Sequence, residues 1–231
     1  MNEINKEENT VFKISNEMKT IAHRGWSEGE GENTIEAFRK ASEDARISGV
    51  EFDIWEMPDG KIYVSHDMPS GNSSQWLLLE DVLAFLARTR LELFIECKNS
   101  SVTIVSKISE LLERFGLQSR SIIFAFLPIA KNFEWQDERK VCLGIITPYP
   151  WHLYSNIKKY KPDAIFFGWT NKKESKQFKS FWNIFSLPRL HKKYPNIKFI
   201  AGVATSEVDT KWLEKQTGLY GYTADKPFIW E

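Results

Sequence analysis

Short apolar runs typical of buried β-strands alternate along this chain with longer segments of helical periodicity. Eight runs have this character, at residues 21–25, 50–57, 91–98, 121–126, 140–147, 163–169, 197–204 and 219–225. Helices are predicted between them at 33–48, 79–89, 103–116, 151–160, 174–193 and 207–217. Because strands that alternate with helices form parallel βαβ units, eight such units predict a closed (β/α)₈ barrel rather than an open sheet.

Local signals mark the ends of several elements. Asn33 and Thr34 are candidate N-caps for the first helix, and Gly218 follows the last one. The run 61–67 comes after Pro-Asp-Gly at 58–60, which predicts the return arm of a hairpin. The connection after 121–126 is short and its structure is ambiguous.

The chain is consistent with one domain. Its 231 residues, 42% of them hydrophobic, are enough to bury a core of barrel size. No helical segment follows the eighth strand-like run. We therefore expect residues 1–20 to pack where a final helix would lie, and residues 21–231 to form the barrel.

The charge balance and the apolar segments restrict the function. Lys plus Arg and Asp plus Glu number 31 each, which gives no basic field for nucleic acid. No signal-peptide core and no membrane-spanning stretch is evident, so a cytoplasmic protein without membrane insertion is expected. Cys97 and Cys142 lie in apolar runs without metal-ligand spacing and are interpreted as reduced core thiols.

Carboxylates fall at the ends of neighbouring strands, where a barrel carries its active site. Glu51 and Asp53 lie two residues apart in the second run, and Glu96 ends the third. Three carboxylates on one rim repel one another unless each pairs with a Lys or Arg or a cation lies among them. An all-oxygen set favours Mg²⁺ or Ca²⁺ over zinc, and we expect one such ion here.

Two of the four histidines lie at strand ends beside this cluster. His23 and His66 are suited to act as general acid and base in cleaving a P–O bond, although a single histidine there would more often be structural. Arg24 and Lys98 supply positive charge for a phosphate, or neutralise the carboxylates, or do both. His152 and His191 have helical, polar surroundings and are interpreted as surface residues.

Taken together, these motifs resemble one known family. HRG at 23–25, ENTIEAF at 32–38, Glu-x-Asp at 51–53, HD at 66–67 and Glu-x-Lys at 96–98 are similar in order and spacing to the glycerophosphodiester phosphodiesterases. That family consists of metal-dependent (β/α)₈-barrel hydrolases related to phosphatidylinositol phospholipases C and sphingomyelinases D. The strong part of the resemblance covers residues 21–98, and TADKP at 223–227 resembles the family's TD-x-P.

The resemblance implies a role for each matching position. His23 and His66 correspond to the acid/base pair, Arg24 and Lys98 to phosphate ligands, and the three carboxylates Glu51, Asp53 and Glu96 to metal ligands. The implied substrate is a small-molecule phosphodiester, by default a glycerophosphodiester that yields glycerol phosphate and an alcohol. The attacking group is either water or a neighbouring substrate hydroxyl, which first forms a cyclic phosphate.

Two departures from the family pattern bear on the substrate. The interval between the HD motif and the third strand is short, whereas relatives commonly carry an insertion there that forms part of the pocket wall. GVATSEVD at 202–209 stands where many relatives have a Trp-Thr pair. A more open or differently built pocket is therefore expected, and four aromatic residues at strand ends are candidate apolar contacts: Trp55, Phe124, Phe126 and Trp169.

Two other functions compete with this interpretation. A lipid phosphodiesterase of phospholipase D type, forming a cyclic phosphate, would need an apolar patch near the barrel mouth; the aromatic stretch 179–188 is the one hint of it. A catalytically silent barrel that binds a phosphorylated ligand would be indicated by loss of a motif residue. His23, His66 and all three carboxylates are present, which favours an enzyme.

Overall fold

The computed structural model describes residues 18–26, 31–71, 76–99, 101, 103–135, 139–168, 172–185 and 187–225. Within this part of the chain the strands are β1 (Lys19–Ala22), β2 (Ile47–Glu56), β3 (Ile62–Val64), β4 (Leu77–Leu78), β5 (Glu92–Cys97), β6 (Ser121–Phe126), β7 (Cys142–Ile146), β8 (Ala164–Gly168), β9 (Lys198–Ala204) and β10 (Gly221–Ala224). The helices are α1 (Ile35–Glu43), α2 (Leu79–Leu86), α3 (Ile104–Arg114), α4 (Leu127–Ala130), α5 (Leu153–Tyr160), α6 (Lys172–Phe185), α7 (Leu187–Lys193) and α8 (Glu207–Glu214).

Eight parallel strands close into a barrel, as the alternating pattern predicted. Their order is β1-β2-β5-β6-β7-β8-β9-β10, and β10 pairs in parallel with β1 to complete the ring. The predicted hairpin is also confirmed, since β3 runs antiparallel to the end of β2 with Ile54 opposite Val64. The two-residue strand β4, which the sequence did not indicate, extends that hairpin by pairing with β3.

Alternating side chains separate two cores. Phe52 and Ile54 of β2 and Leu93 of β5 point outward and pack in the large cluster between strands and helices. Residues of the opposite parity point into the barrel, where Phe94 and Phe166 belong to a separate interior cluster. Because strand side chains alternate with a period of two, Glu51, Asp53 and Glu96 share the inward parity and lie above that interior cluster.

Each predicted helix has a counterpart, but one boundary is wrong and the single helix predicted at 174–193 is two helices, α6 and α7. Thr34 caps α1 by accepting a hydrogen bond from the Ala37 amide at 3.2 Å. The helix predicted to reach residue 48 instead ends at Glu43, and β2 begins at Ile47. Gly49 explains the early strand, since a Cβ atom there would lie 2.6 Å from the Phe94 ring, and so only glycine permits this close pairing of β2 and β5.

A buried polar contact joins two helices behind the barrel. Ser206 caps α8 through the Asp209 amide, and the Asp209 carboxylate accepts hydrogen bonds from Ser175 and Lys179 of α6. The aromatic stretch 179–188 contributes to this region through Trp182, which is buried against Phe167. Trp182 therefore belongs to the core rather than to an exposed apolar patch.

Three further expectations concern the whole chain. The proposed cover at residues 1–20 falls largely on residues 1–17, which lie outside the described residues, as does Trp169. Both cysteines are free; Cys97 is buried and Cys142 is partly buried. None of the helices that the structure describes has the length and apolar character needed to span a bilayer.

Candidate active site

The three carboxylates predicted at the strand ends meet at one point. Glu51, Asp53 and Glu96 each offer one oxygen, and these oxygens lie within 4.8 Å of one another. Strand register produces this arrangement, since Asp53 is directly paired with Glu96 across β2 and β5. Their exposed fractions are 2%, 1% and 8%, so three acidic groups share a nearly dry space.

Burial dominates the electrostatics of this cluster. Desolvation, followed by the charges of Asp53 and Glu96, raises the pKa of Glu51 well above its ordinary value. The pKa of Glu96 is also raised, mainly by burial, although Lys98 opposes the shift. A carboxylate held in this way gains strongly from any cation that approaches it.

Lys98 neutralises part of the cluster. Its Nζ lies 2.9 Å from Asp53 Oδ1 and 2.9 Å from Glu96 Oε1. Burial lowers the pKa of Lys98, but the two carboxylates outweigh that effect and the pKa is raised on balance. Lys98 is therefore a fixed cation at the mouth of the barrel.

Arg24 lies on the other side of Asp53. Its Nε is 3.2 Å from Asp53 Oδ2, and its Nη1 donates to both oxygens of Glu32 at 2.8 and 3.0 Å. Glu32, the first residue of the ENTIEAF motif, reaches the site from the loop before α1 through this pair. The contact with Glu32 is half exposed, so it adds little stability and leaves the guanidinium near the pocket.

The turn after β1 is held in an unusual backbone conformation. Arg24 and Gly25 have φ values of 55° and 77°. A Cβ atom on Gly25 would lie 2.8 Å from Ala37 Cβ, so glycine allows the turn to rest on α1. The HRG motif thus combines a glycine that the tight turn requires with the polar side chains of His23 and Arg24, which the turn places at the site.

His23 is oriented by a residue from the last strand. Its Nδ1 lies 2.7 Å from Asp225 Oδ1, and its Nε2 lies 3.8 Å from Glu51 Oε2. The imidazole therefore bridges a rim carboxylate and the acidic cluster. A carboxylate that accepts the Nδ1 proton would leave Nε2 free to accept one from the pocket.

His66 approaches the same pocket from the hairpin side. Its Nδ1 lies 3.0 Å from Asp67 Oδ1, and its side chain is 38% exposed. Trp55 supports the turn by donating its indole hydrogen to the His66 carbonyl at 3.2 Å. Trp55 is not among the residues that line the pocket, and this supporting role agrees with a packing residue rather than a substrate contact.

These groups open into a pocket of about 440 Å³ at the carboxyl ends of the strands. Its walls include His23, Arg24, Glu51, His66, Glu96 and Lys98. Phe124 and Phe126, two of the four aromatic candidates, line it as expected. The volume is within the range of small-molecule sites.

The other two histidines lie away from this pocket. Both are exposed, as predicted, with His191 in α7 and His152 immediately before α5. The predicted polar surroundings of His152 are wrong, because its ring contacts the exposed aromatic residues Tyr149 and Trp151. Both aromatic residues lie within three positions of His152 in the chain, so the sequence already carried this signal.

Two site residues were not assigned from the sequence. Asn33 donates to Asp53 Oδ2 at 3.0 Å and accepts from the Asp53 amide at 3.2 Å, which fixes that carboxylate. It had been considered as a helix cap. Asp225 was noted only as part of TADKP. It lies two residues after Thr223, which lines the pocket, so alternation along the strand could have predicted that Asp225 faces the pocket too.

The donor set fits a hard divalent cation. Glu51 Oε1 is buried and has no hydrogen-bond partner among the described residues, although buried polar atoms are normally paired. Asp53 Oδ1 also lacks a hydrogen bond of good geometry, despite its proximity to Lys98. Oxygen ligands with excess negative charge suit Mg²⁺ or Ca²⁺, and the cluster is thus able to bind a metal ion.

Comparisons with known structures identify the fold class. A phosphodiesterase from Oleispira antarctica, solved with the product sn-glycerol-3-phosphate, has a TM-score of 0.68 at 17% identity, covering 90% of this chain and 93% of that one. A glycerophosphodiester phosphodiesterase from Agrobacterium tumefaciens scores 0.67 at 15% identity, covering 91% and 97%. One from Thermotoga maritima scores 0.63 at 16%, covering 90% and 95%.

The chain therefore has the (β/α)₈ fold of the glycerophosphodiester phosphodiesterases, which confirms the resemblance at the level of fold. Sequence comparisons are sparser, and no protein-family model matches the chain. It is 30% identical over 141 residues to the uncharacterized protein YqiK of Bacillus subtilis (strain 168). That match covers 47% of this chain and 58% of the relative, so the chain spans less than two thirds of the relative's length.

Proposed function

We propose that this protein is a metal-dependent phosphodiesterase that cleaves a glycerophosphodiester into glycerol phosphate and an alcohol. The observation that carries the proposal is the buried trio of carboxylates with an unpaired Glu51 oxygen, open to a pocket that two histidines and two cations also line. Carboxylates that can bind a cation, Lys and Arg side chains that can bind phosphate, and histidines that can transfer protons lie together at one end of the barrel. Phosphoryl transfer uses this combination of groups. The product bound to the Oleispira relative is consistent with this substrate class.

Glu51, Asp53 and Glu96 would hold one divalent cation, either Mg²⁺ or Ca²⁺. When bound, such an ion neutralises phosphate oxygens and lowers the pKa of a coordinated oxygen nucleophile. Asn33 holds Asp53 in place by two hydrogen bonds. Lys98 keeps the net charge of the cluster low enough for the strands to pack.

Lys98 and Arg24 bind the phosphate of the substrate in this proposal. Both line the pocket, and both already face carboxylates, so they would share their donors between protein and substrate. Arg24 has the planar fork suited to two phosphate oxygens, whereas Lys98 acts as a point charge. Their role is to orient the diester and offset its negative charge.

We assign His23 as the general base and His66 as the general acid. His23 Nε2 is the closer to the carboxylate cluster, and Asp225 stabilises the imidazolium that forms when Nε2 takes the proton of the attacking oxygen. His66 lies at the more exposed side and donates its proton to the departing alkoxide, which leaves toward solvent. The attacking oxygen belongs either to water or to a neighbouring hydroxyl of the substrate.

A substrate panel tests the reaction class. Glycerophosphocholine, glycerophosphoethanolamine and glycerophosphoinositol are incubated with the protein in EDTA, Mg²⁺ or Ca²⁺, and glycerol phosphate is measured. We expect release only with a divalent cation. Turnover that persists in EDTA would remove the metal-dependent mechanism, and a protein that binds metal without cleaving any diester would support the silent barrel instead.

A further inference from the structure

A second cavity, the aromatic groove, lies beside the proposed active site. It has a volume of about 330 Å³, and its walls come from the segment before α5 and from α6 and α7. The residues that define it here are Tyr149, Trp151, Phe178, Phe181, Trp182 and Leu190. No polar group needed for the proposed reaction is among them.

The outer wall of the groove exposes large apolar side chains to water. Trp151 is 55% exposed and Tyr149 is 54% exposed. Their rings stack with centroids 4.8 Å apart and planes at 13°, and Trp151 meets Phe181 of α6 edge-on at 5.9 Å. This arrangement holds aromatic faces in place without burying them, which is typical of a binding surface rather than a core.

The inner wall is rigid. Trp182 is buried and packs against Phe167 and Phe178 with ring centroids 5.1 Å from each. Phe167 belongs to β8, so the inner wall of the groove is fixed to the barrel itself. The groove is thus a preformed cavity rather than a surface depression between mobile side chains.

The groove shares a wall with the pocket of about 440 Å³ described above, here called the reaction pocket. Pro148, Phe167, Gly168 and Glu174 line both cavities. Phe126, which is 44% exposed, adds an apolar surface inside the reaction pocket. A substrate whose phosphate lies between Lys98 and His66 would therefore find an apolar channel next to it.

We propose that the aromatic groove binds the hydrocarbon chain of a glycerophosphodiester that carries one acyl or alkyl chain. This inference rests on the proposed function and narrows its substrate class to single-chain amphiphiles. Because the groove borders the reaction pocket, part of the substrate bound there is the natural occupant of the groove. The aliphatic residues Leu153 and Leu190 in the lining favour a hydrocarbon chain, since a cationic head group would gain nothing from them.

The first test compares two substrates that share a choline group and differ in the chain. The ratio of kcat/KM for a lysophosphatidylcholine, used below its critical micelle concentration, to that for glycerophosphocholine is measured in wild type, Trp151→Ala and Phe181→Ala. We expect each substitution to lower this ratio about tenfold or more, because part of the chain's apolar contact is lost. Tyr154→Ala is the matched control, since Tyr154 is exposed and aromatic but lines neither cavity, and its ratio should equal wild type.

A second test does not depend on turnover. Binding of dodecyl phosphate and of glycerol 3-phosphate is measured by calorimetry with the metal-loaded protein, again below micelle formation. Dodecyl phosphate should bind more tightly to wild type than to Trp151→Ala, whereas glycerol 3-phosphate should not discriminate between them. This result without hydrolysis of any diester would support the groove and refute the proposed function.

Three outcomes would overturn the inference. One is failure of the kinetic test, seen either as a ratio that Trp151→Ala and Phe181→Ala leave unchanged or as hydrolysis of glycerophosphocholine alone. Another is equal affinity of wild type and Trp151→Ala for dodecyl phosphate. The third is sedimentation of the protein with phosphatidylcholine vesicles that depends on Trp151, together with equal kcat/KM for lysophosphatidylcholine and glycerophosphocholine. That result would make the aromatic wall a membrane-docking surface instead.

Discussion

The two cavities at the mouth of this barrel are built from different parts of the chain. The reaction pocket owes its charged groups to β1, β2, β5 and the turns that follow strands, where side-chain parity and register decide which atoms meet. The aromatic groove is formed mostly by the segment before α5 and by α6 and α7. The charged groups of the reaction pocket are thus positioned by the sheet and the turns at its edge, whereas most of the groove lies on helices and a segment outside the sheet.

Their electrostatics differ in the same way. In the reaction pocket, buried acids with raised pKa values are balanced by Lys98 and by contacts to Arg24 and Asn33. In the groove, stacked aromatic rings dominate and much of Trp151 faces water. Substitutions in the first region should therefore change rate and metal dependence, while those in the second should change substrate preference.

The largest effect is expected for Glu51→Gln. It removes the ligand with the unpaired oxygen, so activity should fall below detection, and the rise in Tm on adding Mg²⁺ or Ca²⁺ should disappear. A ligand at one hundred times its Kd stabilises a fold by about 2.7 kcal/mol, or about 5–10 °C for a chain of this size. Wild-type turnover in this variant would remove the metal-site assignment.

The same variant should not lose stability when metal is absent. Because the folded pKa of Glu51 lies above its unfolded value, its ionised form destabilises the metal-free fold at pH values above the unfolded pKa. Glu51→Gln without metal should therefore have an equal or higher Tm at pH 8, and this advantage should vanish as the pH falls below 4. Thermal unfolding in EDTA across that range measures it.

His66→Ala and His23→Ala should each reduce kcat for glycerophosphocholine by roughly 10²–10⁴. They should differ on bis(p-nitrophenyl) phosphate, whose leaving group needs no proton. His66→Ala should recover most of its rate on that substrate, because the general acid is dispensable there, whereas His23→Ala should remain impaired. The reverse pattern would exchange the two roles, and wild-type rates in both would exclude acid/base catalysis by these residues. Metal affinity, followed by calorimetry, should stay near the wild-type value in His66→Ala.

Lys98→Met tests the balance of charge in the reaction pocket. Removing one partner of a buried ion pair typically costs about 3–5 kcal/mol, since the remaining charge is left uncompensated. Because Asp53 and Glu96 both lose their contact with Nζ, Tm in EDTA should fall, and a divalent cation should restore part of it. A Tm equal to wild type would show that Lys98 does not stabilise the metal-free cluster.

Asp225→Asn should have a smaller effect, a reduction in kcat of about 10–100-fold with KM little changed, because it orients His23 without touching the phosphate. Asp225→Glu should recover part of the rate if a carboxylate near Nδ1 is what matters. A rise in KM equal to the fall in kcat/KM would instead assign Asp225 to substrate binding. Steady-state kinetics on glycerophosphocholine separate these results.

The smallest effects are expected at the remaining histidines. His191 is exposed and lines neither cavity, although it follows Leu190 of the groove, so kcat/KM of His191→Ala for glycerophosphocholine should stay within about twofold of wild type. His152→Ala should behave alike on glycerophosphocholine, although its ring contacts Trp151. A large loss on that substrate in either variant would mean that the pocket extends beyond the residues described.

Much of the fold followed from the chain alone, for a physical reason. Buried parallel strands need apolar runs, and a crossover segment must separate each strand from the next. The eight strands and their order could therefore be predicted from the sequence. The boundary between α1 and β2 was missed because Ser48 and Gly49, which follow Ile47, have little strand propensity by themselves. The strand appears only in the pairing of Ile47 with Thr20 and in the close approach of Gly49 to Phe94.

The sequence by itself determined which carboxylates share one face, because parity along β2 and β5 places Glu51, Asp53 and Glu96 there before any contact is known. Only the tertiary structure decided their partners. Asp225 reaches His23 because β10 closes the ring against β1, and Trp151 reaches Phe181 because the segment before α5 meets α6. Such contacts join residues distant in sequence, and their geometry depends on barrel closure and helix packing, which no local pattern contains.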